Sequence, residues 1–291
     1  MQQRQEAGGA MKDAGAAAVE WLAAAFPDTA CSIAAPQEAF GSPADFWAEA
    51  SMDVESCLAY QDRFASGMDD KIRAAHLIAF YSHQLCLAAG AIYLASGAVP
   101  VVSGLRFERY VRSDGGREVE AGRFHFLVEV PTADALAGEE RGRRFHDAFV
   151  RHMKPIIALL RRRCGLSGRA QWRLAADGLT GAFLEIGRRR DQEAAAIERA
   201  LGIVKRGGSP LSSPELHYEK VNAEAHGGAL ARTYRIRSGC CLYYRTEGGD
   251  FCDTCVLLKA ETRRERLRAH LRASEGQPAG SEVVDCPSPR V

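Results

Sequence analysis

A run of 32 residues without a charged side chain, from Ala74 to Leu105, constrains the fold of this chain more than any other feature. A run of this length is sufficient to cross a bilayer. However, histidine, serine and glutamine residues interrupt it, and Gly97 and Pro100 indicate a helix that ends before an extended segment. We therefore predict a core helix followed by a buried strand, with peripheral membrane contact as the second interpretation.

Apolar residues at helical spacing predict six helices along the chain. The segment Asp70–Leu94 is the longest of these, and its apolar character on all sides predicts a position at the centre of the fold. The other predicted helices are Ala14–Phe26, Arg144–Cys164, Gln192–Val204, Pro214–Ala225 and Glu261–Leu271.

Alternating segments predict short antiparallel hairpins between these helices. The first hairpin pairs Leu105–Val111 with Phe124–Val130 across a turn at Ser113–Gly116. A second is predicted over Ala170–Ile186, turning at Asp177-Gly178, and a further strand over Thr233–Ile236. Because strands and helices do not alternate regularly, we predict an α+β fold that is mainly helical and carries a C-terminal cysteine-rich segment.

The chain divides into four parts by composition. Residues 1–12 and 274–291 are predicted to be disordered, the second because it is rich in serine, glycine and proline. Residues 13–230 would form an α+β body that binds the substrate or a docking partner. Residues 231–273 would contain the cofactor-binding segment and a charged helix.

Charge and cysteine usage limit the functional classes. With 38 basic and 37 acidic residues the net charge is +1, so no global field favours binding to nucleic acid or anionic lipid. The N-terminus lacks the basic and apolar pattern of a secretory signal. Nine cysteines, an odd number, without such a signal indicate reduced thiols in a cytoplasmic protein.

Four of the nine cysteines fall within sixteen residues, in the pattern Cys-Cys-x10-Cys-x2-Cys: Cys240, Cys241, Cys252 and Cys255. Clustered thiolates are typical ligands of soft metal centres. Adjacent cysteines in a regular strand would point to opposite faces, so we expect the backbone to leave strand geometry there, helped by Gly239.

Three kinds of site remain possible from the spacing alone. A zinc site more commonly uses two spaced pairs, and a disulfide is disfavoured in a reducing compartment. An iron–sulfur cluster fits better, but four cysteines serve either a 2Fe–2S or a 4Fe–4S centre, and the spacing does not distinguish them.

The segment Arg237–Tyr244, followed by Cys252-Asp253-Thr254-Cys255, closely resembles the C-terminal signature of FhuF-type ferric-siderophore reductases. A weaker resemblance extends to Met153–Ile157 and to the Gln171-Trp172 region. The resemblance implies a 2Fe–2S cluster bound by the four clustered cysteines, and one-electron reduction of cytosolic ferric siderophore.

This reaction needs no nucleophile or general base, because ferrous iron is held far more weakly than ferric iron by the hard oxygen donors of a siderophore. Three arginines near the cysteines are candidates for tuning the cluster or contacting the chelate: Arg235, Arg237 and Arg245. No glycine-rich dinucleotide loop follows a strand, so we expect a separate electron donor, such as a ferredoxin or a reductase.

Two alternative functions remain at this point. The first is a regulatory protein that carries an iron–sulfur cluster or zinc and binds nucleic acid, although no helix-turn-helix is recognisable. The second is a simple electron carrier, although about 230 residues precede the cysteines.

Overall fold

The computed structural model describes residues 2–33, 40–114, 116–131, 138–225 and 228–274, with the side chains of residues 2–13, Asp114 and Ala225 left out. Eight α-helices and five strands are found in these ranges. The helices are α1 (Gln2–Ala25), α2 (Pro43–Phe46), α3 (Met52–Tyr60), α4 (Asp70–Ser96), α5 (Gly138–Cys164), α6 (Gly168–Arg189), α7 (Glu193–Val204) and α8 (Ala260–Ala273). The strands are β1 (Ala30–Ser32), β2 (Val101–Asp114), β3 (Arg117–Glu129), β4 (His217–Ala225) and β5 (Gly228–Ile236).

Helix α4 lies at the centre of the fold, as the uncharged run predicts. The Asp69 side chain caps its first turn by accepting a hydrogen bond from the Ile72 N–H (2.9 Å), and Gly97 ends it in a left-handed conformation. By length and hydropathy α4 alone, among the described helices, is able to cross a membrane. However, 78% of its most apolar window is buried inside the molecule, so in this fold it serves as a core helix.

The first predicted hairpin is confirmed and belongs to a three-stranded sheet of order β1-β3-β2. Strands β2 and β3 are antiparallel, and Leu105 faces Phe126 across them. The short β1 runs parallel to β3 on its other edge. The buried face of this sheet packs phenylalanines against α4, including Phe124 and Phe126, and the α+β fold class is confirmed.

Two predicted elements have the wrong secondary structure. Residues 170–186 form the middle of helix α6 and not a hairpin, and residues 217–225 form strand β4 and not a helix. Of the two α6 residues interpreted as a turn, Asp177 and Gly178, the glycine lies in the contact with α4: a Cβ on Gly178 would come within 2.9 Å of the His83 backbone nitrogen. The glycine therefore permits a close helix–helix approach.

The ends of the chain and the predicted boundary also differ from expectation. Helix α1 begins at Gln2, so residues 2–12 belong to an alanine-containing helix rather than to a disordered segment. Residues 275–291, most of the predicted disordered tail, lie outside the described part of the chain. The boundary between residues 230 and 231 falls within β5, which pairs with β4 along its whole length. The C-terminal part of the fold therefore begins with the β4–β5 hairpin.

Candidate iron–sulfur site

The four clustered cysteines lie together in the loop between β5 and α8. Strand β5 ends at Ile236, so Cys240 and Cys241 follow it in irregular backbone, as expected. Leu242 then adopts a left-handed conformation (φ 64°), which reverses the chain into a 3-10 turn over Tyr243–Arg245. A tight turn, in which the Cys255 N–H donates to the Cys252 carbonyl (2.9 Å), places the second pair of cysteines.

The thiols meet as two pairs. The Sγ atoms of Cys241 and Cys252 are 3.5 Å apart, and both side chains are buried. Cys240 and Cys255 are hydrogen-bonded to each other, and Cys240 is the more exposed member of the set. This hydrogen bond, together with burial, raises the pKa of Cys240, and the same bond lowers the pKa of Cys255 to about 6.

This pairing fits a cluster of two irons. With metal–sulfur bonds of about 2.3 Å in a tetrahedron, two thiolates on one metal lie about 3.8 Å apart, close to the Cys241–Cys252 separation. Among the described residues, no three cysteine, histidine or carboxylate side chains converge as one zinc ion would require. A two-iron cluster, with two thiols as ligands of each iron, therefore matches the four cysteines better than a zinc site does.

Hydrogen-bond donors surround the sulfur atoms. The Leu242 N–H donates to Cys240 Sγ (3.4 Å), and the Leu257 N–H donates to Cys255 Sγ (3.5 Å). The other pair receives the Arg237 guanidinium, whose Nη1 lies 3.8 Å from Cys241 Sγ and 3.6 Å from Cys252 Sγ. Such donors favour thiolate over thiol and are known determinants of cluster potential.

Helix α6 supplies a residue that the sequence analysis missed, Asp177. Its carboxylate is 1% exposed and accepts hydrogen bonds from the Ser238 N–H (2.8 Å), the Ser238 hydroxyl (3.0 Å) and the Gly239 N–H (2.8 Å). Gly239 is needed there for space, since an added Cβ would lie 2.9 Å from the Leu174 backbone nitrogen. Asp177 is the only charged residue between Leu174 and Leu184, and an isolated acid in an apolar segment is a sequence signal for a buried, partnered carboxylate.

The segment that leads into α4, together with the first turns of this helix, forms another wall of the site. The Glu247 N–H donates to the Ser66 carbonyl (3.1 Å), and the Tyr243 ring lies 6.1 Å from the His76 ring. From the other side, Arg266 of α8 donates to the Phe251 carbonyl (2.8 Å). The cysteine loop is thus attached to three separate helices.

The three candidate arginines have different environments. Arg237 is buried and contacts two sulfur atoms, in agreement with a tuning role. Arg235 is also buried: it donates to the Asp177 backbone carbonyl and packs on Gly181, and burial lowers the pKa of its guanidinium. Because its side chain is inside the protein, the predicted contact between Arg235 and a chelate is wrong. Arg245 is on the surface and pairs with Asp69 (2.9 Å).

A cavity of about 420 Å³ lies between α2, α4, α5 and the start of β2. It is mainly apolar, with Trp47 and Phe149 in its wall and Arg151 and His152 as polar members. None of its lining residues comes from the cysteine loop, so it is separate from the candidate site.

Comparison with known families agrees with this geometry. A family model described as the FhuF 2Fe-2S C-terminal domain matches residues 237–257, and one described as a ferric iron reductase FhuF-like transporter matches residues 107–222. The fold and the site therefore define an α+β iron–sulfur protein with a 2Fe–2S cluster as its cofactor. More specifically, both matches are to models of the FhuF-type family, and together they support a relationship to that family over residues 107–222 and 237–257. No curated protein matches the chain at a significant level.

Proposed function

We propose that this protein is a cytoplasmic ferric-siderophore reductase, and that Cys240, Cys241, Cys252 and Cys255 are the cluster ligands. The observation that carries the proposal is the arrangement of four thiols in two pairs within a loop that leaves Cys240 partly exposed. The match to a ferric iron reductase family supports the reductase class.

The cluster supplies a one-electron transfer step. The polypeptide has to hold the thiols and shield the inner pair, Cys241 and Cys252, from water. It also has to leave an edge of the site that a bulky chelate can approach. Cys241, Cys252 and Cys255 are buried, which meets the first two requirements. Tyr244 (38% exposed) and Leu257 (54% exposed) are apolar side chains at the surface of the same loop, and Tyr244 stacks on Phe251 with ring centroids 4.8 Å apart.

We propose that the chelate contacts this apolar surface together with Arg245. No bond within the ligand has to break, because ferrous iron leaves the oxygen donors once it has formed. Electrons would come from a separate donor protein, such as a ferredoxin or a reductase.

The reaction is tested with anaerobically purified protein. The cluster is reduced, excess reductant is removed, and a ferric siderophore is added in the presence of a ferrous-specific chelator. We expect the visible absorption of the oxidised cluster to return while trapped Fe(II) appears in equal amount. Reduced cluster that stays reduced under these conditions would point instead to a carrier or a regulator.

The ligand assignment is tested separately with two cysteine variants. Cys252→Ser is expected to abolish the visible spectrum and the bound iron, because it removes one of the two thiols of the inner pair. Cys164→Ser is the matched control, since Cys164 is a buried cysteine at the end of α5 outside the cysteine loop. An unchanged spectrum for Cys252→Ser would show that the ligand set is wrong.

A further inference from the structure

The buried carboxylate of Asp177 and the buried guanidinium of Arg237 form a charged unit directly behind the inner cysteine pair. Arg237 Nε lies 3.7 Å from Asp177 Oδ2, and both side chains are almost fully buried, with side-chain exposures of 4% and 2%. Both carboxylate oxygens accept hydrogen bonds from the cysteine loop, as described above. A buried ion pair is costly unless its geometry is supported, and here each partner has additional contacts.

The two charges act on the cluster in opposite directions. Reduction adds one negative charge to the cluster, so the nearby cation of Arg237 favours the reduced form. The anion of Asp177, 3.7 Å from the guanidinium Nε, disfavours the reduced form. Because both charges are shielded from water, their influence is stronger than that of surface residues at similar distances.

The two thiol pairs differ in this respect. Cys240 and Cys255 receive uncharged backbone N–H donors, from Leu242 and Leu257. The pair of Cys241 and Cys252 is contacted directly by the Arg237 guanidinium. The charged unit therefore touches the site at this pair, although its field also reaches Cys255.

We propose that Asp177 is a positioning and charge-compensating residue for the cluster. It anchors the Ser238-Gly239 backbone and offsets the positive charge of Arg237, and this compensation keeps the reduction potential of the cluster low. A low potential is useful to a reductase, since each tenfold change in the one-electron equilibrium corresponds to about 59 mV. This inference rests on the cysteine ligands of the proposed function but does not depend on the ferric substrate.

The test is an anaerobic redox titration of the full-length holoprotein, followed by EPR of the reduced cluster. Asp177→Asn keeps the size and a hydrogen-bond acceptor but removes the charge. We expect the ratio of reduced to oxidised cluster at a fixed potential to rise at least tenfold, an upward shift of about 59 mV or more. An unchanged or lowered midpoint potential would overturn the proposal.

Arg237 supplies the opposite test. Arg237→Gln is expected to lower the midpoint potential, whereas Arg237→Lys, which keeps the charge, is expected to remain closer to the parent protein. If Asp177→Asn loses its cluster, the two Arg237 variants decide whether the buried charges set the midpoint potential. Equal midpoint potentials for Arg237→Gln and Arg237→Lys would contradict an effect of charge.

Glu185→Gln is the matched control for Asp177→Asn. Glu185 lies two turns further along the same helix, and its carboxylate contacts His83 (2.9 Å). We expect the control to leave the midpoint potential unchanged, and a shift equal to that of Asp177→Asn would overturn the assignment. If all these shifts in midpoint potential are found but the protein does not reduce ferric siderophore, the proposed substrate is wrong and the role of Asp177 stands.

Discussion

Arg235 and Arg237 are separated by one residue, yet their side chains have different tasks. Arg235 extends from the end of β5 towards the backbone of α6 and helps to hold the strand on that helix. Arg237 reaches the sulfur atoms and the carboxylate of Asp177. Sequence alone gives both residues the same description, because the identity of a partner across 58 or more residues depends on the tertiary fold.

Tyr244 provides a test of the proposed chelate surface at the scale of one residue. Tyr244→Ala removes an exposed ring that stacks on Phe251. We expect the KM for the ferric chelate to rise roughly two- to tenfold, in proportion to the loss of about 0.5–1.5 kcal/mol of aromatic contact. Steady-state kinetics and the visible spectrum are measured together, and the spectrum is expected to stay unchanged.

Met52→Ala is the control for that experiment. Met52 is 78% exposed, but it lies at the start of α3 and not in the cysteine loop. Equal KM values for Tyr244→Ala and the parent protein would place the chelate elsewhere.

Glu108 gives a prediction about pH and stability. Burial alone would raise the pKa of this carboxyl, but hydrogen bonds from His125, Arg123 and Arg106 outweigh it and lower the pKa from 4.5 to about 2. The ionised form of Glu108 is therefore more stable in the folded than in the unfolded protein. Its stabilising effect is present above pH 4.5 and is lost as the pH falls towards 2.

Glu108→Gln is accordingly expected to lower the free energy of unfolding by about 1–3 kcal/mol at pH 7. The difference from the parent protein should shrink between pH 4.5 and 2. Urea denaturation at a series of pH values measures this, and a difference that is constant over the series would contradict the assigned cause.

At the scale of elements, α6 connects the core to the cysteine loop. One part of it packs closely on α4 through Gly178, and the adjacent Asp177 binds the loop. The adjacent aspartate and glycine that led to a turn prediction therefore make two separate contacts from one helix, Asp177 with the cysteine loop and Gly178 with α4.

The helix contact is tested by Gly178→Ala. The added methyl group would meet the backbone of α4, so we expect a loss of about 1–3 kcal/mol in the free energy of unfolding. Gly202→Ala in α7 is the control: nothing lies within 4 Å of its new Cβ, and alanine is expected to stabilise the helix by about 0.5–1 kcal/mol. Thermal or urea denaturation of both variants measures the difference, and equal signs would contradict the packing argument.

Elements with a clear period were predictable from the sequence, and those defined by tertiary contacts were not. The β2–β3 hairpin and the central helix follow from alternation and from the uncharged run. Strand β4 was missed because alanine and glutamate obscure its alternation, although Val221 and Ala223 are buried while Asn222 and Glu224 are exposed. Likewise, the cysteines were evident from their spacing, whereas Asp177 became part of the site only through the packing of α6.

At the scale of the whole molecule, three apolar clusters are found among the described residues. The large core joins the helices and the three-stranded sheet. A small cluster of Val221, Tyr234, Ile236 and Leu267 holds α8 on the β4–β5 hairpin, and another surrounds the cysteines. The apolar clusters of the C-terminal part are therefore small compared with the large core, so we expect its fold to depend on contacts with the rest of the molecule.

A fragment containing only residues 217–273 tests this dependence. It lacks Asp177 and Leu174 of α6 and the Ser66 carbonyl, so we expect it to gain little or no native cluster when supplied with iron and sulfide. The full-length chain treated in parallel is the control, and visible circular dichroism per mole of protein is the measurement. A fragment spectrum equal to that of the full chain would show that the loop is autonomous.

The anchors of the cysteine loop also bear on how the protein withstands damage by oxygen. Asp177, Ser66 and Arg266 hold the loop through bonds within the polypeptide alone. Because these bonds do not involve the cluster, we expect the loop to keep its shape without iron and sulfide. We expect the apoprotein that remains after loss of the cluster to stay folded. Repair would then need only reassembly of the cluster and not synthesis of a new polypeptide.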